Sequence, residues 1–167
     1  MKRRDFLIMG SLAGLSPYYI NAKTLPQDHH MFQTVEKTIA AVQEHMFPTG
    51  CKLPSAREMH ATRFLYETIM YPTYDKDIRA FVLDGAKELM ERENHRFTAY
   101  SVTEKEKALR SYEKTSYGSN WLSRMMILTM EAIFSDPVYG SNINEAGWKA
   151  LKSFGGQPRP RTRYIEL

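Results

Sequence analysis

Apolar residues recur at steps of three and four along most of this chain, and no stretch of useful length alternates apolar with polar. That period stacks side chains on one face of a helix, whereas a half-buried strand needs a period of two. Phe32, Val35, Ile39, Val42 and Met46 predict a first helix, ended by Pro48, Gly50 and Pro54. The polar stretch before it, from Lys23 to His30, reads as extended. Ser55 followed by Glu58 forms a capping box and starts a second helix near Ala56, with Ala61, Phe64, Leu65 and Ile69 inward and Tyr71-Pro72 as its stop. Asp75 or Asp77 caps a third, with the stripe Ile78, Phe81, Val82, Gly85 and Leu89. Thr103 and Glu106 make a second capping box, opening a fourth helix through Ala108, Leu109 and Tyr112. A fifth begins after Ser119 and Asn120 and is apolar on nearly every side from Trp121 to Ile133. Such a segment is either central or meets a partner with its outer face. The expected fold is all-α, a compact bundle of about five helices. Beyond it, Gly155 to Leu167 carries two prolines and three arginines and reads as an extended arm.

A chain of 167 residues suits one domain and buries roughly 68–70% of its unfolded surface on folding. Residues 2 to 8 read Lys-Arg-Arg-Asp-Phe-Leu-Ile, followed by a short apolar run and then Ala22. Arg3, Arg4, Phe6 and Leu7 fit the twin-arginine signal, which exports proteins already folded. Gly10, Gly14 and Pro17 interrupt the apolar run, which falls short of the roughly 20 residues a spanning helix needs. The domain division is therefore a signal over 1–22 and one helical domain over 23–167. Without Lys2, Arg3, Arg4 and Asp5 the formal charge falls from +4 to +2. The remaining charges are mixed, apart from Arg159, Arg161 and Arg163, so no basic face for nucleic acid is expected.

Candidate chemistry is sparse. Cys51 is the sole cysteine, which excludes an intramolecular disulfide, an iron–sulfur cluster and covalent haem. In an oxidising compartment a lone thiol is either buried and inert, the commoner case, or paired with another chain. The five histidines lack the spacing that sets two ligands on one helical face, so exposed or locally bonded histidines are expected. Met125, Met126 and Met130 lie on the most apolar helix, where packing outweighs soft-metal ligation. No nucleophile elbow, P-loop or dinucleotide fingerprint is present. Neither a catalytic residue, a cofactor site nor a metal site is therefore assigned to the chain itself.

The informative segment follows the fifth helix. Asp136-Pro137 forces the chain out of helix, and Gly140 and Asn142 permit left-handed turns. Tyr139 and Trp148 bring large rings with one polar edge each, suited to an interface or to packing on their own bundle. Both readings stand at this point.

Phe134, Asp136-Pro137-x-Tyr139-Gly140-x-Asn142 and Gly147-Trp148-Lys149 resemble the signature of subunit 3, the small subunit, of gluconate 2-dehydrogenase. Consistent features are the twin-arginine signal, a Met46-Phe47-Pro48 turn after the first helix, and Ser101-x-Thr103-Glu104-Lys105 before a later one. Two positions depart from the pattern. Ser141 stands where the family usually has a second glycine, and Ser153-Phe154-Gly155-Gly156 replaces the usual Gly-Phe-Pro-Gly.

The resemblance implies a non-catalytic subunit of a periplasmic dehydrogenase for gluconate or a related sugar or sugar acid, associated with the inner membrane through its complex. It implies a large partner that binds FAD, and a multihaem c-type cytochrome as a possible third subunit. This chain would carry the export signal to the twin-arginine translocase for a partner lacking one, and would act as a maturation or stability factor. Asp136, Pro137, Tyr139, Gly140, Asn142, Gly147, Trp148 and Lys149 are then candidate interface residues, and Cys51 a candidate intersubunit thiol. The alternative from another class is a free-standing periplasmic binding or metal-handling protein, and a helical enzyme with an unrecognised site ranks third.

Overall fold

The computed structural model describes residues 25–163. Arg3, Arg4, Phe6 and Leu7 lie outside the described residues. Among the described residues there are six α-helices and no strand: α1 Leu25–Met46, α2 Ala61–Ile69, α3 Lys76–Arg92, α4 Val102–Glu113, α5 Ser116–Phe134 and the short α6 Ala146–Ala150. The all-α expectation holds, with α5 at the centre against α1, α2, α3 and α4. The core gathers Val35, Ile39, Val42, Leu65, Ile69, Val82, Leu89, Trp121, Met125 and Leu128 around it.

Helix boundaries moved where tertiary contacts outweighed local signals. The first helix starts at Leu25 rather than after an extended stretch. Its opening turn is held from outside: Asp28 pairs with Arg79 at 3.2 Å, and His29 Nδ1 lies 2.9 Å from the Tyr66 hydroxyl. Arg79 is itself buried, a position the apolar stripe did not include. It donates to the backbone carbonyls of Ile69, Tyr71 and Tyr74 and so ties the α2–α3 connection to α1. Leu83 and Ala86 complete the buried face of α3, while Ile78 and Phe81 are only half-buried. Asp75, not Asp77, caps α3, accepting from the N–H groups of Asp77 and Ile78.

The Ser55–Glu58 box forms, with both reciprocal bonds in place. It encloses only one turn, because His60 takes a left-handed conformation (φ 54°) and the regular helix begins at Ala61. That break lets Ala56 and Ala61 pack together on Ala132 of α5. For α4 the capping box is Ser101–Glu104 rather than Thr103–Glu106. Glu106 is used elsewhere, by His45 at 2.7 Å and Arg110 at 2.8 Å. The central helix starts at Ser116, capped by Thr115, which accepts from Gly118 N–H at 2.9 Å. Gly118 permits this early start, since a Cβ there would strike the Tyr112 carbonyl.

Candidate functional site

Residues 135–150 form a compact loop on the C-terminal end of α5. The last carbonyls of a helix have no partner within it and need donors from elsewhere. Here the loop supplies them. Ser135 Oγ donates to Ala132 O, Trp148 Nε1 donates to Phe134 O at 2.7 Å, and Asn142 Nδ2 donates to Ser135 O at 2.8 Å. Asn142 is buried, and its Oδ1 accepts from Gly147 N–H at 2.9 Å, so one side chain staples the loop's start to its return. Gly147 lies so close to the Ile133 carbonyl that no Cβ fits.

Asp136 caps the turn Pro137–Tyr139 by accepting from Val138 N–H at 3.0 Å, and Pro137 at the first turn position has no N–H that would need an acceptor. Gly140 ends the turn in the left-handed region (φ 81°). A Cβ at Gly140 would lie 2.6 Å from the Arg163 guanidinium, so the glycine serves both the turn and the arm. Ser141, at the family's glycine position, is buried without positive φ, and its Oγ lies 2.6 Å from Ser135 Oγ. The departure therefore adds a hydrogen bond and no backbone strain.

The C-terminal arm is not helical as far as residue 163, as its glycines and prolines predict, but it folds back over the loop. Arg159 donates to Asp136 at 2.6 Å and to Glu145 at 3.0 Å, and its guanidinium lies 4.6 Å over the Trp148 ring. Arg163 donates to Val138 O at 2.7 Å and pairs with Glu67 of α2 at 3.2 Å. Gly155 lets the arm pass flat against the Trp148 ring. The Arg159 hydrogen bond holds the Asp136 carboxyl below its usual range, with Val138 N–H adding to it against partial desolvation. The arm's arginines were visible as a basic tail, but nothing local in the sequence pairs them with Asp136, Glu145 or Glu67.

The structure thus brings all eight candidate loop residues together and gives most of them internal work. Trp148 is buried; Pro137 and Tyr139 are half-buried; Lys149 is exposed and donates to Asn144 O at 2.7 Å. Tyr139 borders an apolar depression of about 510 Å³ with Phe64, Phe134 and Glu131, whose carboxyl desolvation pushes up from its usual range. Cys51 is exposed, which corrects the buried, inert reading. It sits on the loop turned by Gly50 (φ 88°), where no packed helix face covers it, and shares a shallow depression with Asn144 and Lys149.

Among the described residues no three of His, Cys, Asp and Glu gather as metal ligands, and no helix is long and apolar enough to cross a membrane. His29 and His45 are bonded to residues distant in the chain, Tyr66 and Glu106, and His30, His60 and His95 are exposed. Met125 is buried, while Met126 and Met130 lie on the outer face of α5.

No curated protein and no solved structure matches the chain. A family model described as gluconate 2-dehydrogenase subunit 3 matches residues 33–156, from the third turn of α1 through the Trp148 helix to the start of the arm. With the loop signature built as a unit inside that span, the chain belongs to the gluconate 2-dehydrogenase subunit 3 family, whose members are subunits of a dehydrogenase complex.

Proposed function

We propose that this protein is the non-catalytic small subunit of a periplasmic, FAD-dependent dehydrogenase for gluconate or a related sugar or sugar acid. In this reading it escorts the large flavoprotein subunit through the twin-arginine translocase and supports its maturation and stability. The flavin belongs to the large subunit, and a c-type cytochrome is a possible third partner that passes electrons to the membrane. The observation that carries the reading is the 135–150 loop within the family match. Its carboxylates, Asp136 and Glu145, are engaged with Arg159 of the arm in holding the fold, while Lys149 is exposed, Tyr139 is half-buried, and Cys51 is exposed on a neighbouring loop. That arrangement suits recognition of another chain better than bond-making chemistry.

Export provides the test. Replacing Arg3 and Arg4 together by lysine is expected to leave both this chain and the flavoprotein in the cytoplasm, measured by fractionation and flavin absorbance. A flavoprotein that still reaches the periplasm overturns the escort role. Sugar-acid oxidation by the isolated chain overturns the non-catalytic assignment.

A further inference from the structure

Away from the signature loop, a groove of about 620 Å³ opens between α1, the loop before α2 and the start of α4. Its floor is apolar and low, formed by Ala40, Ala41 and Ala56. Val102, with 75% of its surface exposed, adds a further apolar side chain to the lining. Three cations from three separate elements ring this floor: Lys37 of α1, Arg57 of the loop and Lys105 of α4. Among the described residues none of the three makes an ion pair, although seven other Lys and Arg residues do. The one carboxylate in the lining, Glu44, is occupied by Arg57 N–H at 3.0 Å and the Thr49 hydroxyl at 3.1 Å.

An apolar floor ringed by three cations against one carboxylate is net positive, and complements a ligand that is part apolar and negatively charged. A free sugar acid fits poorly, because a polyol needs convergent neutral polar groups and on these walls Thr62, Thr49 and His45 are already bonded. Thr62 donates to Gln43 at 2.7 Å, Thr49 to Glu44, and His45 is bonded to Glu106. Alanines on the solvent side of a helix allow a second backbone to approach closely. We propose that this groove receives an acidic, part-apolar segment of the flavoprotein subunit, a second docking surface distinct from the 135–150 loop. This inference rests on the subunit role proposed above.

The test is copurification of the full-length chain with its coexpressed flavoprotein, read by flavin absorbance per mole of this chain. Lys37→Glu, Arg57→Glu and Lys105→Glu together are expected to lower retained flavoprotein about tenfold, as reversed rim charges repel an acidic segment. Raising salt to about 0.5 M, where screening shortens to a few ångströms, is expected to weaken the wild-type complex and leave the variant unchanged. A control with Lys76, Lys87 and Lys114 changed to Glu carries the same net charge and is expected to retain wild-type binding. Thermal melting of each variant checks folding, since Lys105 is half-buried while the other altered side chains are exposed. A photoreactive residue at Val102 is expected to cross-link to an acidic stretch of the flavoprotein. Retention within twofold by the groove variant, or a cross-link to a second copy of this chain or to lipid, overturns the groove's role alone. A wild-type chain that brings down no flavoprotein overturns the subunit reading and this surface with it.

Discussion

Asp136 shows how much one carboxylate does here. It caps a turn through one oxygen and holds the arm through the other, with Arg159 stacked on Trp148 behind it. Because Arg159 depresses its folded-state pKa, Asp136 adds stability above the unfolded value of about 3.9, and that contribution is lost as pH falls through the folded value. Asp136→Asn is therefore expected to melt below the wild type at neutral pH, by a gap that stays constant down to about pH 5 and narrows as the pH falls below the unfolded value of about 3.9. Thermal melts across that range check it; a gap unchanged at the acid end counts against the Arg159 pairing. The sequence marked Asp136-Pro137 as the helix breaker and Trp148 as a ring seeking a polar partner. It could not name Phe134 O as that partner, because the pairing spans the whole return of the loop.

At the level of elements, capping chemistry was readable in kind and ambiguous in position. Two Ser/Thr–Glu pairs at the same spacing compete at the start of α4, Ser101–Glu104 and Thr103–Glu106. The first wins because His45 draws Glu106 away from the helix end, a contact made across 61 positions of chain. Ser101→Ala is expected to cost about 1 kcal/mol of unfolding free energy in urea, the usual worth of an N-cap, while Thr103→Ala costs little. Equal losses from the two would contradict the assignment. The first turn of α1 teaches the same lesson, since its polar residues are helical only because Arg79 and Tyr66 hold Asp28 and His29.

Across the whole molecule, the bundle depends on how closely helices approach α5. Trp121 lies flat on Gly85 of α3 and donates to Val82 O at 3.0 Å, and the Tyr112 hydroxyl of α4 donates to Gly85 O at 3.3 Å. Helix propensity alone says that Gly85→Ala should stabilise by about 1 kcal/mol. A Cβ at Gly85 would enter the buried indole ring, so the substitution is expected to destabilise instead, by about 1–3 kcal/mol for overpacking. The sign of the change in urea midpoint decides between the two. The outer side of α5 presents another feature of the assembled molecule: Met126, Ile127 and Met130 are exposed on a helix whose opposite side is the centre of the core.

Periodicity and breakers, which are local, were enough to determine the helical class, the number of long helices and the break at Asp136-Pro137 after the central one. These depend on contacts within a few positions, where a single sequence carries its own information. Helix starts, the burial of Arg79, the exposure of Cys51 and the clasp of Arg159 and Arg163 on the loop were decided only by tertiary structure. So was the gathering of Lys37, Arg57 and Lys105 around one groove. Each requires residues far apart in the chain to meet, and that distance is set by how the helices pack rather than by any pattern along them.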